Sequence, residues 1–503
     1  MKIGLILSTT IYSKLLDIPD GSLNGKIENG VAKYFSIPFA QPPVGALRWE
    51  MPQKVDPWGA QLLDAQSPSH DECVQLNGSG SEDCLYLNVF APENATDLPV
   101  MVWFHGGAHK IGSNLRSYYD GEAFAIEQNV ITVFVNYRLN IFGSLFRQEA
   151  NVLGNQFVYD NIMALEWVEK NIQYFGGNKD SITIFGESAG GQIVGNLLSL
   201  PEKYEHLFHK AIMQSNPLGI PYHTVESMTR ITDQVLSFLN CPDFECAKTK
   251  SVEECLQAQR RAFDLAPVTS MMIEMWMPVI DGTLFKSNPL NILAENQHQK
   301  PMITGYTTNE GALFTEFLPG PTGLVVYNQL LNLIFKDDAA KVKSRFPYRR
   351  CLNLKNCDSR RVLDPIFNYV FICPGRKLLK DRKSLSDFFY YYNYPFPGPK
   401  NDDDYCSKTA CHSVDVPMLF GAARNDFTLA EQELSSRMRS YWAEFARTGS
   451  PNAKFSEYGW WGNFDYDERF IFDSLEPKSG PFNVEKIESD CEWFEREIGY
   501  LRY

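Results

Sequence analysis

Between Met101 and Tyr306, short apolar runs alternate with segments of helical spacing, and each run breaks off at a turn. Met101–Phe104 is apolar and ends at His105-Gly106-Gly107. Val130–Val135 is rich in β-branched residues and closes on Asn136-Tyr137-Arg138. Ser181–Phe185 stops at Gly186, and Lys210–Gln214 and Met302–Tyr306 have the same character. Between these runs, Asp160–Asn171 carries Leu165, Trp167 and Val168 near helical spacing, and Ala189–Leu200 reads as a helix of small and apolar residues. Strands this short and this continuously apolar are buried on both faces. The pattern therefore predicts an α/β chain with a twisted, mostly parallel central sheet and helices on both faces. In such sheets ligands sit beyond the carboxyl ends of the strands. Chemistry is expected in the loops after Phe104, Phe185 and Tyr306.

Composition removes several alternatives. The 503 residues are 44% hydrophobic and 21% charged, an ordinary globular balance, and the net charge of −14 lacks the basic footprint of a nucleic-acid binder. No stretch reaches the roughly 18 apolar residues of a membrane span. The cysteines form no zinc-site spacing, and neither a metal nor an organic cofactor is expected. The eleven cysteines instead fall in local groups: Cys73 and Cys84; Cys241, Cys246 and Cys255; Cys351 and Cys357; Cys406 and Cys411; then Cys373 and Cys491. With the sequons at Asn77 and Asn94, they point to a glycosylated, disulfide-bonded chain of the secretory pathway. Lys2 and the apolar run from Ile3 suggest a signal peptide over residues 1–13, cut after Ser13, with residues 14–503 as a single domain.

Gly186-Glu187-Ser188-Ala189-Gly190 matches G-x-S-x-G, a pattern expected about 0.2 times by chance in a chain this long. Its setting between a strand and a helix is what makes it specific. A tight turn with small neighbours lets a serine Oγ project above the sheet. Taken as a bland feature, the segment is a Gly-rich turn with a helix-capping serine. Ser188 is the expected nucleophile. His105-Gly106-Gly107-Ala108 follows the preceding strand, and the N–H groups of Gly107, Ala108 and Ala189 are the expected oxyanion donors. His105 and His109 precede the nucleophile and are assigned to loop structure.

A serine hydroxyl needs a base, and on a strand–turn–helix scaffold of this kind the order along the chain is serine, acid, histidine. Glu310 follows the Met302–Tyr306 run and is the expected acid. His412 is then the one histidine left downstream of it. Other acids lie between Ser188 and His412, and a helix N-terminal role for Glu310 stays open on this evidence alone. A histidine base predicts an acid limb near pH 6–7 in the rate profile, from its ordinary pKa of about 6.5.

At this point the chain resembles the type-B carboxylesterase and cholinesterase family of α/β-hydrolases, from about Gly21 to Trp493. The resemblance rests on Phe35-Ser36-Ile37-Pro38-Phe39-Ala40-Gln41-Pro42-Pro43, on Ser81-Glu82-Asp83-Cys84-Leu85-Tyr86-Leu87-Asn88 and on the elbow. Asn309-Glu310-Gly311 and Tyr441-Trp442-Ala443-Glu444-Phe445-Ala446-Arg447-Thr448-Gly449 also fit. It implies an α/β-hydrolase fold, a Ser188-Glu310-His412 triad and an acyl-enzyme route for small ester substrates. It also implies a supporting hydrogen bond from Ser215, and disulfides Cys73–Cys84, Cys241–Cys255 and Cys373–Cys491. Spacing adds Cys351–Cys357 and Cys406–Cys411. Cys246 is left over, either free or displacing a partner within its group. Position after the Gln214 strand end suggests that Leu218 and Ile220 border the acyl pocket. In two places the chain departs from the family. Ala108 stands where the family has a third glycine, followed by His109 in place of an aromatic. The Cys73–Cys84 loop has no aromatic, which argues against a cholinesterase-like ammonium site. Two rivals stand beside the esterase reading: a lipase of the same family, and a catalytically silent binding or adhesion module.

Overall fold

The computed structural model describes residues 11–265, 276–295, 300–316, 324–348, 363–395, 406, 409–421, 426–452, 459–464, 469–473 and 484–500. Twelve strands form the main sheet: β1 Ile11–Ile18, β2 Gly21–Glu28, β3 Val31–Pro38, β4 Gly59–Asp64, β5 Tyr86–Pro92, β6 Leu98–Phe104, β7 Ile131–Val135, β8 Gly177–Glu187, β9 Lys210–Gln214, β10 Met302–Thr307, β11 Asp387–Tyr392 and β12 Phe470–Phe472. Their spatial order is β1-β2-β3-β5-β7-β6-β8-β9-β10-β11-β12, with β4 beside β2. The strands from β1 to β7 in that order pair antiparallel, and those from β7 to β12 pair parallel.

The parallel half is the part legible from apolar runs. All residues of β7, β10 and β11 are buried. Alternate side chains of β6 feed opposite faces, as a strand's two-residue period requires. Val100, Val102 and Phe104 join one apolar cluster, with Phe157, Val158 and Ile193 of the helices Gln156–Asn171 and Ala189–Leu198. Met101 and Trp103 join the other, with Met438, Trp442 and Phe445 of the helix Leu429–Thr448. That last helix is closed at its start by a Thr428–Glu431 capping box and at its end by Gly449 at φ 79°.

The antiparallel strands at the N-terminal edge escape a reading by apolar runs. β1 is mostly exposed, and β2 contains two glycines. Ile11 already pairs with Glu28, so a cut after Ser13 would remove the first three residues of β1. Residues 1–10 lie outside the described residues.

Adjacent parallel strands are in register where it matters. Phe104 pairs with Gly186, Glu187 with Gln214, and Gln214 with Gly305. Four neighbouring strands thus end together at one edge, about 4.8 Å apart. The loops after them carry His105–Ala108, Ser188, Ser215 and Glu310.

Among the described residues, four disulfides join Cys73 to Cys84, Cys241 to Cys246, Cys373 to Cys491 and Cys406 to Cys411. The expected Cys241–Cys255 pair is corrected: Cys246, five residues along at a Cα separation of 5.4 Å, takes Cys241. Cys255 is left as a buried free thiol, and burial pushes its pKa up to about 11. Cys351 and Cys357 lie outside the described residues. Peptide mapping without reduction is expected to recover Cys241 linked to Cys246, and Cys255 is expected to react with an alkylating reagent only after unfolding. A Cys241–Cys255 peptide from native protein would contradict this pairing.

Candidate active site

The chain turns sharply between β8 and the helix Ala189–Leu198. Ser188 occupies the turn at φ 57°, ψ −121°, a conformation an L-residue adopts only under constraint. Its N–H donates to the Gln214 carbonyl at 2.9 Å. The constraint comes from crowding: a Cβ on Gly190 would lie 1.9 Å from the Phe104 carbonyl oxygen, and one on Gly186 2.5 Å from the Gly190 oxygen. Ala189 opens the helix, where the first N–H groups have no intrahelical acceptor.

The loop after β6 presses on this turn. A Cβ on Gly106 would meet Glu187 Oε2 at 2.7 Å and Ser188 Cβ at 3.2 Å. Gly107, Ala108 and His109 follow in left-handed conformations at φ 115°, 55° and 53°. Ala108 therefore sits where a glycine is at ease, at a cost of about 1 kcal/mol. Neighbours hold the loop. Tyr137 OH donates to the His105 carbonyl at 2.6 Å, and the His105 and Tyr137 rings stack at 4.4 Å. His109 Nε2 pairs with Gln192 Oε1 at 2.7 Å. Burial pushes both histidines down to about 4, so they are neutral loop residues at neutral pH. From the Cys73–Cys84 loop, Gln75 takes the Gly112 N–H at 2.8 Å and returns its own amide to the Gly112 carbonyl at 2.9 Å.

Glu310 is fully buried beyond β10. Its Oε1 accepts from the Thr307 N–H and from Ser215 Oγ, both at 2.7 Å. Its Oε2 meets His412 Nδ1 at 2.5 Å. The Asn309 N–H donates to the Ala410 carbonyl at 3.0 Å, so the two loops are bonded through their backbones as well. The rings of Phe314 and Phe371 each stand 5.0 Å from the His412 ring.

The structure thus brings together Glu310, His412 and Ser215, and sets the Gly106 loop against Ser188. It does not join Ser188 to His412. The ring's Nε2 has no hydrogen-bond partner and faces Glu187 Oε1 at 3.2 Å. Leu218 and Ile220, in the loop after β9, are buried in the same apolar cluster as Val100 and Phe104. Asn77 and Asn94 are both exposed.

Two buried carboxyl groups, Glu187 and Asp415, and the half-buried Ser413 went unread in the sequence. Glu187 carries a charge into a turn of small residues, and that oddity is its one sequence signal. Burial raises it to about 7, and Asp415 and Glu310 reinforce the rise against the pull of His412. Ser413 donates to Glu187 Oε1 at 2.5 Å. Asp415 takes a hydrogen bond from the Gln214 amide at 2.9 Å, and burial raises it to about 6. For His412, burial works against the charged form, but the carboxylates of Glu187 and Glu310 outweigh it and raise the ring to about 9.

The carboxylesterase family model matches residues 12–483. The chain belongs to the carboxylesterase family. Acylcarnitine hydrolase of Mus musculus is 31% identical over 490 residues, 90% of this chain and 84% of that protein. The cAMP-regulated D2 protein of Dictyostelium discoideum is 32% identical, covering 86% of this chain and 83% of that protein. Among solved structures, a PNB esterase superposes with a TM-score of 0.79 at 27% identity, covering 95% of this chain and 99% of its own. This carboxylesterase-family chain is accordingly a carboxylic ester hydrolase with the α/β-hydrolase fold.

Gly190→Ala tests the crowding at the elbow. The added methyl forces the backbone of Phe104 and His105, or of Gly190 itself, to move. The variant is expected to lose about 1–3 kcal/mol or more in urea unfolding, together with its esterase activity.

Proposed function

We propose that this carboxylesterase works by two-step acyl transfer through Ser188, His412 and Glu310. Ser188 Oγ attacks the ester carbonyl carbon while His412 Nε2 takes its proton. The N–H groups of Gly107, Ala108 and Ala189 hold the oxyanion. His412 returns the proton to the leaving alcohol as the carbon–oxygen bond breaks. Water then repeats the sequence on the acyl-enzyme, releasing the acid and restoring Ser188. Glu310 fixes the ring through Nδ1 and stabilises the imidazolium, and Ser215 fixes Glu310. Leu218 and Ile220 border the acyl side of the pocket.

The observation that carries this reading is the hydrogen bond from His412 Nδ1 to a carboxylate already held by two other donors. It leaves Nε2 as the working nitrogen, on the side of the ring that faces the end of β8. Before each attack the ring must turn from Glu187 to Ser188 Oγ. The substrate class is small carboxylic esters. We further propose a secretory-pathway location, with a cleaved N-terminal signal and glycans on Asn77 and Asn94. The disulfides support it, and no helix among the described residues is long and apolar enough to cross a membrane.

Ser188→Ala is expected to lower kcat on p-nitrophenyl esters by about 10⁴-fold or more, with binding little changed. Near-normal turnover would remove the serine from the mechanism.

The pH profile has a definite sign. Glu187 and Glu310 stabilise the imidazolium, whereas catalysis needs the neutral ring. Activity should therefore rise with pH, with its acid limb above the pH 6–7 expected of an unperturbed imidazole. Glu187→Gln removes one of the two carboxylates and is expected to move the limb down. An unmoved limb would count against His412 as the group observed.

A further inference from the structure

Ser413 stands at φ 71°, a left-handed backbone that favours glycine. It follows His412 directly and is half-buried. Its hydroxyl donates to Glu187 Oε1 at 2.5 Å, and that same oxygen faces His412 Nε2 at 3.2 Å. A strained serine and the histidine beside it thus converge on one carboxylate oxygen. Glycine would make the turn without strain, so the hydroxyl is the feature that distinguishes a serine here.

Resting on the assignment of His412 as the base, we propose that Ser413 is a positioning residue whose hydroxyl, by donating to Glu187 Oε1, sustains the negative charge that faces His412 Nε2. A hydrogen bond donated to a carboxylate favours its ionised form, and the Ser413 hydroxyl acts on Glu187 in that direction, against burial. The imidazolium that forms when His412 takes the proton of Ser188 Oγ gains support from that charge. The groups whose charges act on Glu187 come from several elements. His412, Ser413 and Asp415 approach from one loop, and Glu310 from the loop after β10. Tyr118 and Tyr119 approach from the loop after β6, and Tyr390 from β11. Glu187 thus meets several carboxyl and phenol neighbours. His412 is the cationic one among these, and Ser413 is the hydroxyl that donates to Oε1.

The test is the pH dependence of kcat and KM for Ser413→Gly and Ser413→Ala, each made alone and with Glu187→Gln. Glycine relieves the backbone and alanine does not, so a folding effect would separate the two variants. With the hydroxyl gone, burial drives Glu187 toward its neutral form and the imidazolium loses that support. Both single variants should move the acid limb to lower pH, as Glu187→Gln does, and lower kcat on the plateau above it by about three- to tenfold, with KM altered by about twofold at most. In the Glu187→Gln background the same changes should leave the limb where that variant puts it. A limb unmoved in both single variants overturns the proposal, as does one displaced equally with and without Glu187. Full activity in His412→Ala would overturn the base assignment and this proposal with it.

Discussion

The hydrogen bond between His412 and Glu310 is the constraint on which the site depends. It joins two loops about a hundred residues apart in sequence, one beyond β10 and one just before the helix Asp415–Phe420. A buried carboxyl group in this position is tolerable only because three donors surround it. Its depth also fixes what the rest of the sheet must do. β9 must end where Ser215 reaches Glu310, and β8 must end one strand farther on, where Ser188 can turn upward. The parallel register delivers both, because consecutive strands are locked to one another residue by residue across their last turns.

Glycine at the elbow and a tight loop after β6 follow from the same geometry. The backbone of one loop lies within contact of the next, so side chains are excluded at Gly106, Gly186 and Gly190. Ala108 shows the limit of this rule. One residue beyond the closest contact, a methyl is accommodated at the cost of backbone strain alone. The loop accepts it because His105, His109 and Gln75 hold it from three sides.

Much of this was legible in the chain. Strands buried on both faces read as unbroken apolar runs, so β6 to β10 and the loops beyond them could be placed from residue type alone. Ser188 was marked by small neighbours between a strand and a helix. Other features depend on partners brought in from a distance, and no local pattern announces them. β1 and β2 present exposed or glycine-broken sequences whose identity as strands comes from pairing. Glu187 reads as the free position of a motif until the fold buries it beside His412. Ser413 reads as a loop serine until its φ and its acceptor are known. Among three closely spaced cysteines, the choice of Cys246 over Cys255 depends on how the short helix Phe244–Lys248 turns back, which spacing does not encode.

The Cys373–Cys491 bridge spans 118 positions, and the whole segment that carries His412 lies between its two ends. That segment is anchored covalently to the body of the enzyme on both sides, independently of the peptide that runs through it. A protease that severs the chain once within the span cannot release a fragment: the pieces stay linked, and what holds the imidazole in place is then packing and hydrogen bonding rather than an unbroken backbone.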